Sequence, residues 1–503
     1  MLSSLHHDRI QVRSISATIG HLDREISSLK HKRQVLAAKN EKLLSNIAVK
    51  QATAAPMRTL IPELCEHIFW LYLESRLEPC CTAEQPDPLV LARVCRRWRY
   101  LVLNSPRLWT YLHVSLCDSC PKIAWQILHW FRHANPMPLR VSVCPGIWSL
   151  AEWSSQRFKG ANTITTETLK PYLGRISSFK LQLHQEALSV LFPPGHTAIM
   201  PSLSRLYLRH SGFILSEQQI GQLYAPLLRS LRVCDPSPLT HMLSLAISSL
   251  EHLQIDESEY WEYPRKVPKL LCDCLELQDL SIVFPRNLIL SGPDPVVLPK
   301  VSRMKLEWRF PSNPVPIFSS VIAPCLRNLC LSHTNFLTMF SHETVSTLHD
   351  MIQSSTQLTT LSFVGCNLSS ISEHSSFFCD MPQLRELIIR GCFGTGTLLA
   401  GLSPSPSDPY WPCPNLIHLE VSRVKETELR DIIYFARRRM ASKSGDTFAR
   451  EGGEYLKELT LNARLQDFTP QARAVLLAGL DVIRHSVKIS GPLQDIQLAL
   501  YDL

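Results

Sequence analysis

Four residues with zinc-type donor atoms fall within seventeen positions, Cys117-x-x-Cys120 followed by His129-x-x-x-His133. A zinc finger needs about twelve residues between its two pairs, whereas eight stand between Cys120 and His129. Trp125, Leu128 and Phe131 also commit that segment to packing, so no metal site is expected. Gly391-Cys-Phe-Gly394-Thr-Gly396 has the glycines of a phosphate-cradling turn, but in reversed order and with no acidic partner for a ribose. It reads as a turn between structural units. Arg437-Arg438-Arg439, beside Ile432, Ile433 and Phe435, reads as the solvated outer face of a helix. Neither a Walker-type loop nor HExxH nor GxSxG occurs, and the nineteen histidines offer no nucleophile, base and orienting group in order. No catalytic residue, metal or cofactor is expected, and the chain reads as a non-enzyme.

At 503 residues there is length for about three domains of roughly 150 residues, and an apolar share of 45% excludes extensive disorder. The formal net charge of +8 is concentrated in front: residues 1–58 hold ten Lys/Arg against four Asp/Glu. The body therefore lacks the charge balance of a nucleic-acid binder. Sixteen scattered cysteines, the lack of a signal-peptide core behind the opening MLSSLHHDRI, and the absence of any long apolar run point to a reduced cytoplasmic and/or nuclear setting without a membrane span.

What must position any binding residue begins with a heptad. Val12, Ile19, Ile26 and Ile47 occupy a, and Ile15, Leu22, Leu29, Leu36 and Leu43 occupy d. β-branched residues at a with Leu at d favour parallel two-stranded coils. Arg33 and Asn40 interrupt the a column and fix register at a cost in stability. Residues 1–53 are thus expected to form a coiled-coil helix that self-associates through 12–47, the alternative being one amphipathic helix folded back on the body.

After the hinge QATAAP, a helix is expected from Pro62 to about Arg76, with Leu64, Ile68 and Leu71 on one stripe and Cys65, Phe69 and Tyr72 on the next. A second is expected from the Asp87 cap and Pro88, turning Leu91, Val94, Cys95, Trp98 and Leu101 inward until Asn104-Ser105-Pro106 ends it. Some fifty residues cannot hide so many large apolar side chains, each contributing about 1.5–3 kcal/mol when buried. The unit reads as half an interface.

Pro62-Glu63-Leu64 with Ile68-Phe69, then Val94-Cys95-Arg96-Arg97-Trp98-Arg99, then Pro106-Arg107-Leu108-Trp109 resembles the F-box, the motif that docks on the Skp-type adaptor of cullin-based SCF ubiquitin ligases. A preceding heptad helix is similarly common among fungal F-box proteins. The resemblance implies an F-box over 57–113 and places Leu60, Pro62, Leu64, Ile68, Phe69, Leu91, Val94, Cys95, Trp98 and Leu101 in or behind the adaptor contact. Ile61 stands where the family commonly has a proline, which implies a looser leading turn.

Downstream the pattern L-x-x-L-x-L recurs eleven times, from Ile176/Phe179/Leu181 to Leu456/Leu459/Leu461. In six copies a proline stands two residues ahead: Pro201, Pro226, Pro299, Pro324, Pro382 and Pro414. The period-two end of each unit reads as a short strand burying one face. Spacings that start near 22–27 residues match a leucine-rich-repeat-like α/β solenoid over 171–503, with parallel strands inside and helices outside. Helices are expected at Glu217–Tyr224, Glu343–Ile352, Glu426–Met440 and Pro470–Arg484. Residues 114–170, with a Trp125–His133 helix and the strand MPLRVSV, would connect and cap. A conventional α/β sheet is the competing fold.

The residues beside the buried positions would form three rows on the concave side. One runs Arg205, Ser230, His252, Asp279, Arg303, Asn328, Thr360, Glu386, His418, Glu458; the others begin Tyr207, Arg232, Gln254 and Arg209, Cys234, Asp256. Arg205, Tyr207, Arg209, Arg232, Gln254 and Asp256 are the expected substrate contacts, at the basic end of a gradient that turns acidic at Glu386, Glu420 and Glu458. The function expected is a substrate adaptor that binds a Skp-type subunit, through it a cullin, and an unidentified protein substrate. The alternative is a non-ligase interaction scaffold with a structural F-box-like unit.

Overall fold

The computed structural model describes residues 2–54, 60–75, 87–116, 120–145, 156–211, 220–234, 242, 247–256, 266–284, 295–308, 314–333, 340–372, 377–403, 411–423, 425–441, 456–462, 469–471, 473–474, 478–479 and 488–490. Two compact units divide the chain, Met1–Leu77 with Pro86–Leu108, and Trp109–Leu503 with Glu78–Gln85. The expected SKSGDTFAREGGE loop and most of the expected Pro470–Arg484 helix lie outside the described residues.

The first unit is helical. Helix α1, Leu2–Ala54, runs without interruption, and its heptad side chains from Val12 to Ile47 are all 48% to 66% exposed. Helix α2 spans Pro62–Ser75 and buries Cys65, Phe69 and Leu73. Cys65 and Phe69 are of the second expected stripe, but Leu73 completes it in place of Tyr72, which is exposed, and Leu64, Ile68 and Leu71 face outward. Helix α3, Pro88–Ala92, opens as expected, with Asp87 Oδ1 accepting from the Leu89 N–H at 2.7 Å.

The continuous second helix is corrected. The chain leaves helical geometry at Cys95, extended at φ −158° and ψ 170°, whose sulfur accepts from the Trp98 N–H to cap helix α4, Arg96–Asn104. That break resets the helical phase. Leu91 and Val102 are buried and Trp98 and Leu101 half-buried, while Val94 and Cys95, expected inside, are exposed.

The second unit is an α/β fold built on a fourteen-stranded sheet in which each strand pairs with the next along the sheet in chain order. Every pairing is parallel. The sheet starts earlier than residue 171: Tyr111–Ser115 and Leu139–Cys144 are its first two strands, so the expected connector supplies sheet. Every apolar position of the eleven L-x-x-L-x-L copies is buried, none more than 4% exposed. Helices such as His342–Gln353 and Glu426–Ala441 follow strands as expected. The expected Glu217–Tyr224 helix is corrected, since its described end is the short strand Gln222–Tyr224. Among the described residues no helix is long and apolar enough to cross a membrane.

The recurring prolines sit in turns just ahead of the strands. In Met200-Pro201-Ser202-Leu203 the Leu203 N–H donates to the Met200 carbonyl at 3.1 Å, and the same bond recurs at Leu228, Leu326, Leu384 and Leu416. Proline is favoured at the second position of such a turn because its φ is already set. At the next residue the backbone joins its neighbour, as where Arg229 N–H donates to Ser204 O at 2.9 Å.

Candidate functional site

The first candidate surface lies on the helical unit. Phe69 packs on Trp98 with ring centroids 4.6 Å apart. Arginines tie the loops: Arg97 donates to the Leu60 carbonyl, Arg99 Nε donates to Ala92 O at 3.0 Å, and the Arg107 guanidinium lies 4.1 Å from the Trp70 ring centroid. What remains outside is apolar. Ile61, Leu64, Ile68, Leu71, Val90 and Val94 are all exposed, Leu64 at 49% and Val94 at 59%. Of the ten expected contact positions, Phe69 and Leu91 stand behind this surface; Pro62, Leu64, Ile68, Val94 and Cys95 are exposed; Leu60, Trp98 and Leu101 are half-buried. The arginine ties were not anticipated, because nothing in Cys95-Arg96-Arg97-Trp98-Arg99 says which carbonyl each will find.

The second lies on the sheet face opposite the buried positions. The pairing registers align the first expected row residue by residue: Arg205 with Ser230, Ser230 with His252, His252 with Asp279 and Asp279 with Arg303. The row continues through Asn328, Thr360, Glu386, His418 and Glu458. A groove of 610 Å³ runs along this face from the strand Ser230–Val233 to the strand Glu386–Arg390. Its floor carries short polar side chains, among them Ser230, Ser281, Asn328, Thr360 and Ser362. Arg232 and Gln254 line it, whereas Arg205, Tyr207, Arg209 and Asp256 of the expected set do not. Continuing the second row past Gln254 would have found Ser281, Lys305 and Cys330, which do.

Asp279 is the electrostatic centre of the groove. Arg303 donates to both of its oxygens, Nη2 to Oδ2 at 2.5 Å, and His252 Nδ1 lies 2.5 Å from Oδ2. Partial burial opposes its ionisation, but these hydrogen bonds outweigh that and hold the carboxyl below its ordinary range. Ser230, His252 and Asp279 are the residue types of a hydrolase triad. Here Arg303 occupies both Asp279 oxygens and no hydrogen bond joins His252 to Ser230, so the row is an ion-pair ladder. Arg232 is likewise held by Asp256 at 2.5 Å and Arg390 by Glu420 at 2.6 Å, and Glu386 by His418 at 2.9 Å. These pairs cancel much of the expected gradient.

The sheet nonetheless begins with a basic stretch. The first five strands of the large sheet, from Tyr111 to Val233, carry Arg140, Lys180, Arg205, Arg209 and Arg232 and no acidic residue. Arg205 and Arg209 form no ion pair with a described carboxylate. Tyr207 lies beneath Arg232, 4.9 Å from guanidinium to ring centroid. Burial, followed by the Cys234 sulfur, pushes its phenol up to about 12, so it stays a neutral donor at physiological pH.

The other motifs resolve into structure. Gly391 and Gly394 have φ of +62° and +72°, and a Cβ on Gly394 would meet Ser369 Oγ at 2.6 Å. Glu428 Oε1 accepts the Thr395 N–H at 3.0 Å, placing a carboxylate where a phosphate would have to bind. Arg439 departs from the expected solvated face: it is fully buried, donating to the carbonyls of Leu416, Cys413 and Pro414. Cys117 lies outside the described residues. No protein-family model matches this chain, and no curated protein matches it in sequence.

Proposed function

We propose that this chain is the substrate-recognition adaptor of an SCF-type cullin ubiquitin ligase. In this reading α2 to α4 form an F-box and the sheet unit is a leucine-rich-repeat-like solenoid whose concave groove holds a protein substrate. The observation that carries it is the outward apolar surface of Leu64, Ile68, Leu71 and Val94. Apolar patches of this kind mark interaction sites, and here the patch coincides with the motif that resembles the F-box. The groove supports the substrate half of the reading, being long, open and floored by short polar side chains suited to an extended segment. Beyond the groove, Arg205 and Arg209 on the same sheet face select a substrate that carries negative charge there. Tethering substrate and transfer machinery on one chain raises their local concentration without chemistry by the chain itself.

The test is co-purification of the full chain with a Skp-type adaptor. Binding that disappears in Leu64→Asp, with helical content unchanged, supports the proposal. No binding by the wild-type chain overturns it and leaves an interaction scaffold.

A further inference from the structure

Helix α1 presents an apolar seam, broken only at Arg33 and Asn40 between Val12 and Ile47, that no described residue of the chain covers, on a rod of about 80 Å at 1.5 Å per residue. We infer that its occupant is a second copy of the same helix, lying antiparallel. The a and d residues alone favour a parallel pair. The charges flanking the seam favour the reverse, and they also fix the register.

In a parallel, in-register pair the g residue Glu25 meets the e residue Lys30 of the other copy, a favourable contact. Arg33 at a, however, would then stack on its own counterpart, between Lys30 and Lys32 of both helices. Six positive charges would share about one turn of the pair, with no acid among them.

Antiparallel pairing opposes g to g and e to e. When Ile26 of one copy is level with Leu29 of the other, Glu25 faces Lys32 and Asp23 faces Lys30, each twice by symmetry. Arg33 then packs level with Leu22, one residue from Asp23, and no like charges oppose each other at e or g. Every apolar a residue from Val12 to Ile26 meets an apolar d residue: Val12 with Leu43, Ile19 with Leu36, Ile26 with Leu29. Sliding by one heptad opposes Lys32 to Lys32 and Lys30 to Lys30. Sliding the other way opposes Glu25 to Glu25 and Asp23 to Asp23. The favourable register also pairs the helix over its whole length, since Leu2 comes level with residue 53. The two chains would leave this rod at opposite ends, so the pair spaces two copies about 80 Å apart.

This inference is independent of the adaptor proposal, because it concerns α1 alone. The experiment is sedimentation of the full chain at low salt. The wild-type chain is expected to be a dimer, and Lys32→Glu to weaken it about tenfold by turning two attractive contacts into two repulsive ones. Glu25→Lys should weaken it similarly, and Glu25→Lys with Lys32→Glu together should restore it. In a parallel pair Lys32 faces Ala37, so Lys32→Glu would relieve repulsion and tighten the dimer, while the double variant would stay weak. Either of those results overturns the antiparallel assignment, and a monomeric wild-type chain overturns self-pairing altogether. A carbodiimide cross-link between Glu25 and Lys32 of differently isotope-labelled copies would give the orientation directly, because within one helix those residues stand two turns apart.

Discussion

The rings of Phe69 and Trp98 meet at a centroid distance of 4.6 Å and an interplanar angle of 57°, joining α2 to α4. This contact decides which side of α2 faces in, and so leaves Leu64, Ile68 and Leu71 outside. Phe69 is buried, and Phe69→Ala would cost about 3–5 kcal/mol, as large-to-small aromatic changes in cores do. The measurement is chemical denaturation followed by helical circular dichroism. A change below about 1 kcal/mol would mean that the contact does not hold the two helices together.

Asp279 gives a pH dependence with a definite sign. Its folded-state carboxyl sits below the ordinary value of 3.8, so its contribution is present in full above that value and fades as pH falls through the lower folded one. Asp279→Asn is expected to cost up to about 1 kcal/mol at neutral pH, since Arg303 is exposed and His252 only half-buried. The gap between variant and wild type should close below pH 3.8. A gap that widened in acid would contradict the assignment.

Arg439 makes the turn Cys413–Leu416 depend on a buried cation. Burial pulls its guanidinium down to about 10, which still leaves it charged at neutral pH. Arg439→Leu removes the donor from three carbonyls and is expected to cost about 2–4 kcal/mol. A melting temperature within a degree of wild type would show that the turn stands without it.

Much of the sheet was legible in the sequence because each L-x-x-L-x-L copy combines a period of two with a fixed proline offset. Registers such as Ser230 with His252 therefore followed from alignment of the copies alone. The break at Cys95 was not legible, since Leu91, Val94, Trp98 and Leu101 keep helical spacing straight across it. Nor was Arg439: three consecutive arginines have one average meaning, and only the helix's packing turns the third inward. Cross-strand pairs such as Arg232 with Asp256 depend on which side chains reach the neighbouring strand, which the rows place but do not connect.

On the basic strand beyond the groove, Arg205→Glu with Arg209→Glu should leave stability within about 0.5 kcal/mol of wild type, as for surface substitutions outside special features. Binding to an array of acidic peptides should fall about tenfold, on the order of 1.4 kcal/mol. Unchanged capture would remove these arginines from the substrate contact.

The central proposal is docking of a partner on the apolar face of α2. The most direct measurement is calorimetric titration of a purified Skp-type adaptor into the full wild-type chain and into Leu64→Asp, each first checked for native helical content. Saturable binding by the wild-type chain, with affinity lowered at least a hundredfold by Leu64→Asp, is the expected result. Equal affinity for both chains, or no heat of binding for either, would contradict it.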